Sequence, residues 1–497
     1  MATNMTSQID NSRTRASAFL RSMEVEPGIF TNSTYNKPVH TPGMRLPATY
    51  NAVSCLRLMG EELPDTAATA AFLNSFQIDS GAYRIPEMKA EELYYPDFEY
   101  DDFHITNYVL SALEETHKPQ KEFRFLSDYD TSEKLTEWLV RRDMARPWTE
   151  GNYIVNLASF YEYTDRHDLF TELYQWHLDN QDEFGYWHDP TTNDLTSAMA
   201  GAAHNFHLFY KLNEPVPRYR KIIDHCLSIP NEISSACIDV DIADILAHFM
   251  AYGYRTEEIK TYLTKKLNDL LHIQQEDGGF YDVTSGIRLF DGWSGYQEPQ
   301  GLSNCFATWF RMIAIGFCAE VLYPGEFTWK FRQGIGIGYC NPNYLSGGFK
   351  EPTERPARQY AETEENTVGQ TKAGQKTTGQ STTGKTSAGQ NHEKEIECSP
   401  ELLLVMDEVR ERFSHVQTDF VAVFEVSGEG VFTLDLQNGS ATPTDREVSD
   451  LRVTLSMKTL KGILSGKTNP TAAYALRKLK LKGDMGKALK LVGVLGS

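Results

Sequence analysis

Cysteine is sparse in this sequence and never closely paired. Seven cysteines, at 55, 226, 237, 305, 318, 340 and 398, are scattered through 497 residues without a C-x-x-C pair. That pattern points to neither a disulfide framework nor a zinc knuckle. Long apolar runs are lacking as well, and no window approaches the ~18 consecutive apolar residues of a membrane span. Positive charge is in deficit, with a formal net charge of −20, which argues against a nucleic-acid-binding surface over most of the length. The deficit is uneven, because Lys and Arg outnumber Asp and Glu from Arg452 onward. The N-terminal stretch MATNMTSQIDNSRTR lacks an apolar leader core and the C-terminal GVLGS is not a peroxisomal address. A soluble, cytoplasmic protein of two or three domains is expected, with residues 1–39 flexible.

Apolar residues nearly vanish from 362–397, which contains ETEENTVGQTKAGQKTTGQSTTGKTSAGQNHEK with Gly at every fifth position from Gly369 to Gly389. Such a segment buries too little surface to offset chain entropy, so it reads as a disordered linker between two folded units.

Residues 40–325 show almost no strand alternation but abundant helical periodicity. The phrases FQIDSGAYR (76–84), NQDEFGYWHD (180–189) and QQEDGGFYDV (274–283) are variants of one repeat. Each leads from an amphipathic helix through Gln, acid, Gly and an aromatic; the Gly suits a left-handed helix C-cap. Six more apolar helices follow at a spacing of roughly fifty residues: PATYNAVSCLRLM, DFHITNYVLSALEE, EGNYIVNLASFYEY, SAMAGAAHNFHLFY, SACIDVDIADILAHFM and LSNCFATWFRMIAIGF. Alternation of buried and half-solvated helices predicts an all-α (α/α)6 toroid over 40–325, with 326–361 as a covering segment. The repeated Q-x-x-D-G-G-F phrase resembles the terpenoid cyclase and protein prenyltransferase superfamily, whose helices form such a toroid. Glycan-active toroids share the architecture, so fold alone does not choose the substrate.

In a ring of this kind the inner-helix N-termini converge on a central hollow. Polar residues falling there are Tyr50, Asn51, His104, Thr106, Asn152, Asn156, His204, His207, Asn304, Cys305 and Thr308, interleaved with Tyr108, Tyr153, Phe160, Phe206, Phe249, Phe306 and Trp309. Aromatic faces with a few polar groups suit an isoprenoid or other lipid passing through cationic intermediates. In SSACIDVDIADILAHF (234–249), Ile238, Ile242, Ile245 and Phe249 make an apolar stripe, while Asp241, Asp244 and His248 share a neighbouring face. An Asp in the first turn, such as Asp239, has a purely structural role available as a partner of free N–H groups. DVDIADIL also resembles the acid motif of class II terpene cyclases, which implies catalytic roles for Asp239 and Asp241. Ile242 stands where that family has its last aspartate, and Asp244 is the substitute one turn on. An acid of this type needs burial and a hydrogen-bond partner, for which His204, His207 and His248 are candidates. Prenyltransferase-type zinc is not expected, because Ser303 replaces the Asp two residues before Cys305. No cofactor is expected, although a metal held by His104, His204, His207 and Asp241 stays open at this point.

Residues 398–497 change character. SPELLLVMDEVRERFSHV reads as an amphipathic helix, and DFVAVFEVSG, GVFTLDLQNG and SDLRVTLSM read as an antiparallel meander. DLRVTLSMKTLKGILSGKTNPTAAY and LKLKGDMGKALKL closely resemble the sterol carrier protein 2 family. The resemblance implies an α+β unit enclosing a lipid tunnel, with Leu403, Met406, Phe413, Phe424, Phe432, Leu460, Leu464, Tyr474 and Leu491 facing it. Its partner would be an isoprenoid, sterol or fatty-acyl lipid, with transient membrane contact through Lys478, Lys480, Lys482, Lys487 and Lys490. The multidomain chain then reads as an acid-initiated cyclase or isomerase with a tethered carrier. Two alternatives stand beside it: a non-enzymatic lipid transport protein, and a carbohydrate-active barrel using Asp239, Asp241 and Asp244.

Overall fold

The computed structural model describes residues 2–36, 42–63, 65–86, 99–113, 118–189, 194–284, 287–289, 297–332, 340–345, 348–352 and 355, and then 393–395, 398–399, 402–403, 405–406, 409, 421–435, 440–446, 449–464 and 479–483. Two compact units divide the chain, Met1–Glu364 and Glu365–Ser497.

In the first unit, α1 (Ala2–Ser22) and a hairpin of β1 (Glu24–Glu26) and β2 (Ile29–Phe30) precede α2 (Pro42–Leu58), α3 (Thr66–Asn74), α4 (Glu99–Leu113) and α5 (Ser132–Val140). Then come α6 (Pro147–Tyr163), α7 (His167–Asn180), α8 (Leu195–Leu212), α9 (Tyr219–Ser228), α10 (Ala236–Phe249) and α11 (Thr256–His272). A second hairpin, β3 (Ile287–Leu289) with β4 (Gln297–Pro299), leads into α12 (Cys305–Leu322). Even-numbered helices touch in cyclic order and α12 returns to α2, closing an inner ring. These six are the helices expected to be inner. α12 has the length and composition of a membrane span, yet it is buried within this ring. Odd-numbered helices pack outside and bury one stripe each, as α11 does with Ile259, Leu263, Lys266, Leu267 and Leu270.

The N-terminal expectation is corrected. Residues 2–22 are the outer helix α1, which buries Ile9, Ser12, Ala16, Phe19 and Leu20 against α2, α11 and α12. Its many polar residues face outward and dilute the apolar stripe, which is why the segment reads as flexible.

The repeated phrase is a staple between consecutive elements of the outer layer. Gln77 Nε2 donates to Gly81 O (2.8 Å) and to Lys121 O (2.8 Å), and Gln77 Oε1 accepts from Lys121 N–H (2.7 Å). Gln181 likewise donates to Gly185 O (2.9 Å) and Pro217 O (3.0 Å) and accepts from Arg218 (2.8 Å). Gln274 donates to Gly278 O (2.7 Å) and to Ser12 O (3.0 Å), so the third staple joins α11 to α1 and closes the outer layer. Gly278 has φ of +91°. A Cβ there would lie 2.3 Å from Arg15 O, so close approach to the next helix, rather than a helix C-cap, demands glycine. Inner-helix threonines complete the tie: Thr49, Thr106 and Thr308 Oγ1 accept from Phe30, Tyr83 and Phe280 N–H at 3.0, 2.9 and 3.0 Å.

After α12 the chain crosses the C-terminal ends of inner helices. Lys330 N–H donates to Leu58 O (2.8 Å), Phe331 stacks on Phe317 (4.8 Å), and Leu345 N–H donates to Asn213 Oδ1 (2.9 Å).

The second unit holds β5 (Glu393–Glu395), β6 (Val421–Val426), β7 (Gly430–Asp435), β8 (Ser440–Thr442), β9 (Thr444–Arg446), β10 (Leu451–Leu455), α13 (Met457–Leu464) and β11 (Leu479–Gly483). The sheet order is β11-β10-β6-β7-β8, with β10 parallel to β6. The expected simple meander is therefore corrected at its third strand. The expected linker is shortened too, because β5 lies within 362–397 and pairs antiparallel with β9. Both depend on backbone partners remote in sequence, which local pattern does not name.

Gly278→Ala is expected to lower the stability of the helical unit by about 2–4 kcal/mol, through a left-handed φ and a clash with α1. Urea unfolding followed by tryptophan fluorescence reads this unit alone, because all seven tryptophans precede residue 330. An unchanged midpoint would disprove the staple.

Candidate active site inside the helical ring

Of the three clustered aspartates, two are committed elsewhere. Asp239 is buried in the first turn of α10, accepts Ser234 N–H (3.0 Å), and pairs with Lys266 Nζ (2.8 Å) of α11 and with Arg311 Nη1 of α12. Arg311 also donates to Ser234 O (2.6 Å) and Asp282 O (2.9 Å). This ion cluster pins three helices and engages both Asp239 oxygens in the frame, which corrects its expected catalytic role.

Asp244 sits between His207 Nε2 (2.6 Å) and His248 Nδ1 (2.7 Å), all three fully buried. Burial pushes its carboxyl upward, but His207 and His248 more than offset this and hold it at about 2. Such a group does not supply a proton at neutral pH, so Asp244 is corrected as well. His207 Nδ1 accepts from Cys340 N–H (3.3 Å) and His248 Nε2 lies 3.2 Å from Asn341 O. The triad therefore fastens the covering segment to α8 and α10, and His207 and His248 are positioning groups rather than pocket groups.

Asp241 is different. It is fully buried and lies 3.9 Å from His204 Nε2, on the side of α10 that faces α8. His204 in turn acts electrostatically on His104 of α4. Burial, reinforced by their mutual proximity, pushes His104 down to about 3; burial and His207 push His204 down to about 4. Both rings are neutral at neutral pH. His104 stacks on Tyr100 (5.5 Å) and meets the edge of Tyr108 (4.9 Å). Tyr108 stacks on Tyr50 (4.8 Å) and touches Trp309 of α12 (5.8 Å).

Asp101 belongs with this group and was missed by the sequence reading. It is fully buried in the first turn of α4 and stands at i, i+3 and i+7 with His104 and Tyr108, on one stripe. The signal was present in EYDDFHITNY, but three acids in one turn resemble ordinary dipole compensation. The neighbouring Asp102 pairs with Arg84 at 2.6 Å, and Arg84 also feels the charge of Asp101.

Several expected pocket residues lie elsewhere. Asn304 caps α12 by accepting Ala307 N–H (2.7 Å). Cys305 points to Thr31 O (3.3 Å), between the ring and the N-terminal hairpin, where burial raises its thiol well above the ordinary value. Tyr153 faces Trp138 (5.0 Å) beneath the Arg142 guanidinium (4.6 Å) and also meets the ring of Tyr100 (5.5 Å), and Phe160 packs on Phe103 (5.2 Å). Phe206 and Phe249 pack on each other (5.5 Å) and Phe206 on Trp187 (5.6 Å). Asn152 and Asn156 are not among these: Asn152 is half-buried, and Asn156 bonds to Asn107 (2.8 Å) of the neighbouring inner helix α4. Among the described residues, no group of three or more His, Cys, Asp or Glu is arranged to hold a metal ion.

In the second unit, Met406, Phe424, Phe432, Leu460 and Leu464 share one buried cluster with Leu402, Val409 and Leu451, and Phe424 stacks on Phe432 (4.8 Å). Leu403 is 42% exposed, which corrects its inward placement. Phe413, Tyr474 and Leu491 lie outside the described residues.

Residues 406–496 match the SCP-2 sterol transfer family. The SCP-2-like unit is 39% identical over 84 residues to hydroxysteroid dehydrogenase-like protein 2 of Xenopus tropicalis, covering 16% of this chain and 20% of that protein. It is 35% identical over 65 residues to sterol carrier protein 2 of Bos taurus, covering 13% and 12%. The matches thus span no more than a fifth of these curated relatives. Among solved structures, sterol carrier protein 2 like 2 of Aedes aegypti is 21% identical, covers 19% of this chain and 95% of that one, with a TM-score of 0.17. A variant of the type II terpene cyclase MstE from Scytonema, in complex with merosterolic acid A, is 12% identical and covers 65% of this chain and all of that one, with a TM-score of 0.38.

Two outcomes follow from the aspartates. Asp239→Asn is expected to cost about 3–5 kcal/mol in urea unfolding, because Lys266 and Arg311 are left buried without their carboxylate. Asp244 has a folded-state value below the 3.8 of the free group, so its contribution is present above about pH 4 and lost as pH falls towards 2. Asp244→Asn should therefore flatten that acid limb, on the order of 2 kcal/mol, in stability measured from pH 5 to 2.

Proposed function

We propose that the protein is a lipid-processing enzyme whose helical ring carries out an acid-initiated cyclisation or isomerisation of an isoprenoid, with the tethered SCP-2-like unit as its lipid carrier. The observation that carries this reading is the axial set: two buried carboxyl groups, Asp101 and Asp241, among two neutral imidazoles and the rings of Tyr50, Tyr100, Tyr108 and Trp309. A carboxyl group removed from water favours its neutral form and can donate a proton. The proton adds to one carbon of an alkene, and the adjacent carbon becomes cationic. A second alkene attacks it to form the ring bond, while aromatic faces stabilise the moving charge. A C–H bond next to the final cation then breaks, its electrons form the new alkene, and the proton passes to a neutral imidazole such as His204. For isomerisation the middle step is omitted.

The carrier role is supported by the family match over 406–496 and by the apolar cluster around Phe424 and Phe432. Because both units belong to one chain, delivered lipid would be held at a raised effective concentration.

The test is incubation of the full-length protein with polyprenyl substrates and mass spectrometry of the organic extract. Product is expected from the wild type, and Asp101→Asn or Asp241→Asn, whichever removes the donor, should lower turnover by at least about a hundredfold with the fold intact. Unchanged turnover in both variants rejects the acid assignment.

A further inference from the structure

Inside the ring a chain of polar groups begins at the covering segment and ends on a donor without a hydrogen-bond partner among the described residues. Arg332 Nη1 donates to Asn107 Oδ1 (3.3 Å), and Asn107 Nδ2 donates to Asn156 Oδ1 (2.8 Å). A guanidinium can only donate, so it fixes which end of the Asn107 amide faces it. Asn107 then fixes Asn156 in turn. The outcome is forced: Asn156 presents its N–H groups, and its Nδ2 has no hydrogen-bond partner among the described residues although Asn156 is fully buried.

The side of α6 concerned faces the ring interior. Asn152 precedes Asn156 by one turn, is half-buried, and has an Oδ1 that likewise lacks a partner among the described residues. Tyr161, half a helix turn round from Asn152, donates instead to Tyr129 O (2.5 Å) on the outer side. On α4, Asn107 stands one turn from His104, so the Asn156 amide lies beside the axial set. A buried donor left unmade costs free energy that a ligand can recover.

We propose that Asn156 is an oxygen-binding subsite, so that the ring's lipid carries an acceptor oxygen (hydroxyl, carbonyl or carboxylate) and is not a plain hydrocarbon. This deepens the lipid-processing reading and rests on it for the nature of the occupant. Arg332 and Asn107 are positioning residues that set the polarity of the amide. A hydrocarbon of the same length would leave the donor unpaired and bind less tightly.

The experiment is equilibrium binding to the full-length protein, read by tryptophan fluorescence, which the tryptophan-free SCP-2-like unit does not contribute to. The two probes are geranylgeraniol and the C20 tetraene hydrocarbon that lacks its hydroxyl. Wild type should prefer the alcohol by about tenfold. Asn156→Leu should erase that preference while hydrocarbon affinity is kept. Asn156→Asp, which keeps the shape but removes the N–H donor, should erase it as well, and a melting curve shows that either variant is folded. Equal affinity for both probes in the wild type, or a preference that survives in the folded variants, overturns the subsite. The two proposals fail separately. A preference for the alcohol without any turnover sinks the cyclisation reading and keeps the subsite, and turnover without a preference does the reverse.

Discussion

Closure of the ring governs everything else in the helical unit. Six inner helices expose apolar surface on every side, and none is stable until both neighbours and an outer helix are in place. The glutamine staple enforces that arrangement with one side chain, whose amide nitrogen joins its own turn to the next outer element and whose carbonyl receives a donor back. The same device at Gln274 engages Ser12, so the first helix of the chain lies beside the last pair. Contacts of such sequence separation order much chain at once and stabilise only when the circle is complete.

Within the closed ring, burial divides the polar residues by the partners each can reach. Asp239 faces outward to Lys266 and Arg311 and becomes part of the frame. Asp244 meets two imidazoles and holds the covering segment through them. Asp241 lies 3.9 Å from His204, and Asp101 shares a stripe of α4 with His104, both carboxyl groups buried where solvent screens charge poorly. Three aspartates within six residues thus take three unrelated roles because successive helical positions are turned by about 100°.

Periodicity alone made the six inner helices legible, since an apolar run of helical length has few other places to go. The repeat phrases were legible as joints, although the glycine in each answers to the neighbouring segment and not to a helix cap. α1 was not legible, because its buried stripe from Ile9 to Leu20 is thin and two of its three partners, α11 and α12, lie far along the chain, Ser12 meeting Gln274 across 262 residues. Asn304 and Cys305 looked like mouth residues by position, yet a helix start spends its first polar group on its own N–H groups. Asp101 was hidden by the commonness of acids in a first turn.

The sequence by itself determined the parts: an alternation of helices, and a C-terminal unit recognisable from contiguous strand, turn and helix. These depend on local spacing, and spacing is written along the chain. Tertiary structure alone decided which carboxylates are neutralised by bases, which amide is left a donor, and that β10 lies parallel to β6. Those outcomes depend on distances between residues far apart in sequence, and on the removal of water, which no local pattern encodes.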